Sequence, residues 1–275
     1  MPRTRRIAPV STTKLMNADP AVRFGWRHGV LLALVAGSLF WLMSFEPIRQ
    51  DLAYHSFADQ RAFLGIPNFL DVASNLPFLL VGALGVRFCM RADLGVVRNA
   101  WSVLFAGIAL VSVGSVYYHW SPSNASLVWD RLPMTIGFMG LFVALLGEYV
   151  NQRLATRLLV PAVVLGFLTV LYWHWSDDLR PYLWVQLAPL LSIPALLFLF
   201  RSRSSHAWLL LVALGWYLLA KVTESNDLAV FQGSRELVSG HTIKHLLAAA
   251  GGYTVLVMLQ RRKPLAPGAP ASPAA

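Results

Sequence analysis

In a chain of 275 residues, 56% are hydrophobic and only 13% are charged, about half the charged share of an ordinary soluble protein. This excludes a soluble globular fold and leaves an all-α integral membrane protein. The net charge of +10 is distributed between apolar runs instead of on one solvated patch, which excludes a nucleic-acid-binding protein, and a single cysteine, Cys89, excludes an intramolecular disulfide framework.

In chain order, eight runs are long enough, or nearly so, to span: 28–44, 69–88, 101–119, 132–149, 157–175, 182–200, 207–222 and 241–259. Roughly 20 helical residues, rising about 1.5 Å each, cross the hydrocarbon core. Lipid offers no partners to a bare backbone, so helices are the natural choice, and the short alternating strands of a barrel are absent. The first run follows a basic segment (Arg3, Arg5, Arg6, Lys14, Arg23, Arg27). Ser44-Phe45-Glu46-Pro47 gives no small-x-small cleavage pattern after it, so it is read as an uncleaved helix and not a signal peptide. The organisation expected is a basic cytoplasmic tail (1–27), an extra transmembrane helix with an outer loop (28–67), a seven-helix domain (68–260) and a cytoplasmic tail (261–275). Residues 1–20 and 264–275 are polar or Pro/Ala-rich and are expected to be disordered.

The basic residues set an orientation. With the N-terminus inside, 16 of them fall on inner segments and 7 at or near the outer side, a positive-inside bias that places both termini in the cytoplasm. Short loops and an Ala/Arg bias point to a bacterial inner membrane.

Polar residues inside spans are costly and therefore candidates for function. The second span opens on Asp71, with Ser74 and Asn75 three and four residues later. Ser and Asn could serve as glue between helices, but Asp71 needs a partner or a cavity. The third span ends on Ser115 and His119, four apart on one face. A turn at Pro122-Ser123-Asn124 then returns the chain to Asp130, eleven residues after His119. Taken alone, His119 and its neighbouring tryptophans would pass for an interfacial belt. The last span opens on His241 and His245, at the i, i+4 spacing that can hold one metal ion. The intervening glutamate of a metalloprotease is missing, so a general base must come from elsewhere. By topology His119, Asp130, His241 and His245 meet near one membrane face. His28 and His206 fall on the inner side, and His55 and His174 are expected at the surface or interface. Lys244 is expected to point away from the histidine face, and Arg131 and Glu224 are given no role.

Three neutral imidazoles bind zinc and leave a fourth position open, as catalytic sites do. Asp130 can take a proton from an attacking water and pass it to a leaving amine, and Ser115 can donate to a developing oxyanion. The pattern is that of an amide or ester hydrolase, and the membrane setting suggests a lipid substrate.

Ser115-x-x-x-His119, Asp130, then His241-x-x-x-His245 in the last span resembles the alkaline ceramidase family, within a wider superfamily that includes adiponectin-receptor-like proteins. The resemblance covers about residues 68–260. It implies a seven-helix core, zinc on His119, His241 and His245, Asp130 as acid/base and Ser115 as transition-state support. It also implies hydrolysis of ceramide to a sphingoid base and a fatty acid. Two features depart from the family. The helix at 28–44 is extra, and Asn68 stands where the eukaryotic members carry a calcium-binding glutamate, so calcium is doubtful. Competing readings are a hydrolase of another acyl lipid and a zinc-containing receptor or lipid sensor without turnover. A metal transporter would place its ligands near the midplane, and an intramembrane serine protease would need a Gly-x-Ser-Gly setting that is absent.

Overall fold

The structure, a computed structural model, describes residues 24–202, 204–263 and 265; the expected disordered ends lie almost wholly outside them. Among the described residues there is no strand, and Phe63 and Ile66 form an isolated bridge. The α-helices are α1 (Trp26–Met43), α2 (Phe69–Ala73), α3 (Leu76–Arg91), α4 (Arg98–Trp120), α5 (Asn124–Tyr149), α6 (Gln152–Ser176), α7 (Arg180–Leu199), α8 (Leu209–Ser225), α9 (Asp227–Gly233) and α10 (Gly240–Arg261). Seven helical segments are long and apolar enough to cross a membrane, with α2 and α3 forming one of them. The predicted seventh span is α8, shorter at 17 residues, which still lies at the lower limit of about 17 for a crossing helix.

Two of these elements differ from the sequence expectation. The expected continuous span at 69–88 is broken at Ser74 and Asn75. Pro77 explains the break, because its nitrogen has no hydrogen to give the preceding turn and its ring crowds the residue before it. The fourth span starts at Asn124 and not near residue 132, because Ser123 caps it by accepting from the Ser126 N–H at 3.1 Å. Asp130 therefore sits two turns inside a helix.

Helix α5 is central and the most buried of the spans, packed against α4, α6 and α7. Helices in lipid gain little from hydrophobicity and associate through small residues that let backbones approach. Gly114 is one such residue, since a Cβ there would lie 1.9 Å from the Trp129 carbonyl oxygen. Gly240, the first residue of α10, is another, with a hypothetical Cβ 2.1 Å from the Thr223 carbonyl oxygen of α8. Both contacts bring together elements that carry candidate site residues.

Helix α1 is peripheral and packs on α7. The Trp184 indole N–H donates to the Val35 carbonyl at 3.1 Å, and Arg180 donates to the carbonyls of Met43 and Phe45. The loop after α1 then crosses one end of the bundle. The Gln50 N–H donates to Asp177 at 3.0 Å, and the Ala58 N–H donates to Asp227 at 2.9 Å. The loop is thereby a lid fixed to the α6–α7 turn on one side and to α9 on the other.

Candidate metal and hydrolytic site

Under this lid, the last turn of α4 and the first two turns of α10 meet. His119, His241 and His245 are all buried, and one ring nitrogen of each lies within 4.8 Å of the others. The ring centroids are 4.8, 4.9 and 5.0 Å apart. Ligand nitrogens about 2.0–2.1 Å from a tetrahedral zinc stand roughly 3.4 Å apart, so a modest closure would complete such a site. Both nitrogens of His119 are buried with no hydrogen-bond partner. An unpaired buried imidazole is costly, and a metal ion would satisfy one of its two nitrogens.

The rings are held from behind. The His245 Nδ1 lies 2.8 Å from the Ser74 hydroxyl, which the break between α2 and α3 presents to it. With Nδ1–H donating to Ser74, Nε2 remains for a metal, the usual way an outer contact fixes a tautomer. The His119 carbonyl accepts from Asn68 at 2.8 Å, and the His241 N–H donates to Asp227 at 2.7 Å. Asp71, fully buried, accepts from the Thr242 hydroxyl at 2.6 Å, with the Ser239 hydroxyl 3.2 Å from the same oxygen. The partner that an aspartate in a span requires is therefore the N-terminus of α10 itself.

Ser115 and Asp130 are buried and line one cavity of about 1020 Å³ together with Lys244 and His245. Both side chains face this cavity, Ser115 from α4 and Asp130 from α5. From this polar end the cavity continues between Leu141, Leu190, Pro194, Leu214 and Val255. Its size is at the upper end of small-molecule pockets, about 300–1,000 Å³.

The structure corrects the placement of Lys244. Its ammonium does not point away but lies 2.9 Å from His241 Nε2 and donates to Glu224 at 2.9 Å. A neutral imidazole has one lone pair. His241 therefore cannot accept from Lys244 and ligate a metal through Nε2 at once, and Lys244 must move aside onto Glu224 when a metal binds there. Glu224 also pairs with Lys221 and accepts from the Tyr54 phenol at 2.8 Å. Burial first, then the Glu224 charge, pushes the Tyr54 pKa well above its usual value and keeps it a donor.

Sequence reasoning missed the lid. Phe57 packs against His119 and His241, with centroids 4.6 and 4.9 Å away. His55, expected at the surface, bridges Tyr118 and Asn124 at 2.9 Å on each side. Loop residues 45–68 carry no helical period that would aim them at the histidines, and Asp227 lies in a helix of only 7 residues. In the segment before Asn68, Asp59 pairs with Arg61 at 2.7 Å.

The model of the Ceramidase family matches residues 65–265, which takes in every histidine of the cluster, Ser115 and Asp130. No curated protein matches the chain. A buried three-histidine cluster able to hold a metal ion sits at the polar end of a lipid-sized cavity, inside a match that spans most of the sequence; the chain belongs to the ceramidase family.

Proposed function

We propose that the protein is a zinc-dependent lipid amidase that hydrolyses ceramide-like lipids to a sphingoid base and a fatty acid. The observation that carries this reading is the shared cavity. Ser115, Asp130 and His245 line its polar end, and aliphatic side chains line the rest. A long-chain amide can thus place its tails among the leucines with its carbonyl beside the histidines.

His119, His241 and His245 would hold the zinc, which when bound supplies a Lewis acid and an acidic water. Asp130 accepts a proton from the water that attacks the amide carbon. It then returns that proton to the nitrogen as the carbon–nitrogen bond breaks, releasing a carboxylic acid and an amine. Ser115, one turn before His119, donates to the oxygen on which negative charge develops. Phe57 and the lid over the rings exclude bulk water, so that these dipoles act in a low-dielectric site. The positive-inside bias supports a site facing the outer side of a bacterial inner membrane, with both termini cytoplasmic.

The test is product analysis by mass spectrometry on N-palmitoyl-sphingosine in detergent. Wild type should release sphingosine and palmitate one to one, and Asp130→Asn should lose about 10²–10⁴-fold in rate, the usual weight of a general acid/base. Equal rates in the two proteins would remove Asp130 from the mechanism. No release by zinc-loaded wild type would favour a lipid receptor that keeps the fold without turnover.

A further inference from the structure

Arg131, the residue after Asp130, is 6% exposed and lines the same cavity. Its guanidinium carbon lies 4.0 Å from the Trp173 ring centroid and 4.8 Å from that of Tyr182, so aromatic rings flank it. Its Nη2 donates to the Gln50 side-chain oxygen of the lid at 2.6 Å. Its Nη1 is buried with no hydrogen-bond partner, and among the described residues no salt bridge includes Arg131.

This is a costly arrangement for a purely structural residue. The rings attract the cation through their faces, but they cannot accept the in-plane N–H bonds, which need an oxygen. A charged donor buried without a partner loses the full desolvation energy of that group. The planar fork of arginine matches the paired oxygens of a carboxylate or phosphate. The cavity leans the same way. Its charged lining comprises Arg49, Arg131, Lys221 and Lys244 against Asp51, Asp130 and Glu224, a net charge of +1.

We propose that Arg131, set in place by Gln50, Trp173 and Tyr182, is an anion-binding residue that holds an acidic oxygen of the lipid in the cavity. Two lipids carry that chemistry, the fatty acid released by amide hydrolysis and an amide lipid with an acidic head. The assignment rests on the cavity as the lipid site, but not on zinc or on turnover.

The experiment is equilibrium binding to the full-length protein in neutral phosphatidylcholine nanodiscs, with palmitate, hexadecyl phosphate and uncharged hexadecanol as probes. Wild type should bind at least one anionic probe about 10-fold or more tightly than the alcohol. Arg131→Gln should abolish that preference and leave hexadecanol binding unchanged. Gln50→Glu, an isosteric change, places a carboxylate against the guanidinium and should also abolish it, which covers the case in which Arg131→Gln does not fold. An Arg131-dependent preference for palmitate identifies the product carboxylate, and one for hexadecyl phosphate an acidic substrate head. An anion preference that survives both substitutions overturns the proposal, as does one lost only in His241→Ala, which would put the anion on the metal. Hydrolysis plays no part in the readout, so failure here leaves the amidase reading standing, and failure of ceramide turnover leaves this one standing.

Discussion

Gly114→Ala tests whether the close approach of α4 and α5 holds the proposed catalytic groups in register. A methyl at Gly114 would lie 1.9 Å from the Trp129 carbonyl oxygen and 2.7 Å from its carbon, both backbone atoms that cannot rotate away. Pro133 is the cause of this geometry. It has no N–H to give the Trp129 carbonyl one turn back, so that oxygen is left to pack on the bare Gly114 Cα. Real Cβ contacts essentially never fall below 3.0 Å, so the two helices must separate by about 1 Å at this level. Ser115 and His119 ride on α4, and Asp130, next to Trp129, rides on α5. Overpacking of this kind costs about 1–3 kcal/mol of stability, and a misplacement near 1 Å can cost about 10²-fold in rate. The assay is kcat/KM for ceramide hydrolysis beside thermal unfolding in detergent. Gly215→Ala on α8 serves as the control, since nothing lies within 4 Å of a Cβ there and alanine gains up to about 1 kcal/mol in helix propensity. Wild-type rate and melting in Gly114→Ala would refute the argument that this contact sets the alignment.

Three further outcomes follow from the same geometry. Ser115→Ala should keep its metal and lose roughly 10²–10³-fold in kcat, the weight of one oxyanion donor; elemental analysis with steady-state kinetics checks both halves, and an unchanged kcat removes Ser115 from the reaction. Lys244→Met should tighten zinc by about tenfold in chelator competition, because like charges a few ångströms apart repel strongly and the Lys244 ammonium lies 2.9 Å from His241 Nε2; weaker zinc would make Lys244 a support and not a competitor. The Arg61 hydrogen bonds hold Asp59, in the lid, below the usual carboxylate range. A carboxylate with a lowered folded pKa contributes stability above its unfolded value of about 3.9 and loses it as pH falls through the folded one. Lid protection, read by hydrogen exchange, should therefore drop in wild type as pH falls below about 4 and change less in Asp59→Asn.

Most of the bundle was legible because lipid imposes one rule, that long apolar runs become helices. The eight runs correspond to eight long helices or helix pairs, displaced by a few residues where local chemistry intervenes, as at Pro77 and Ser123. Helical spacing likewise put His241 with His245 and Ser115 with His119, and topology brought the two pairs to one end. What spacing could not show lies off the helical period. Gln50, Tyr54 and Phe57 reach the site from an irregular loop, and their positions follow from pairings with Arg131, Glu224 and the histidine rings that lie 62 to 184 residues away in sequence. Lys244 was misplaced. It lies three residues from His241, a spacing that shares a helix face, and its four-carbon stem carries the ammonium on to His241 and Glu224.

The central claim is that the three histidines hold a catalytic zinc. It is tested most directly by elemental analysis of the detergent-purified protein after zinc loading and desalting, for wild type and for the His241→Ala/His245→Ala double variant. The account predicts about one zinc per wild-type chain and near none in the variant, which removes two of three ligands. Equal zinc in both proteins, or none in either, would contradict it.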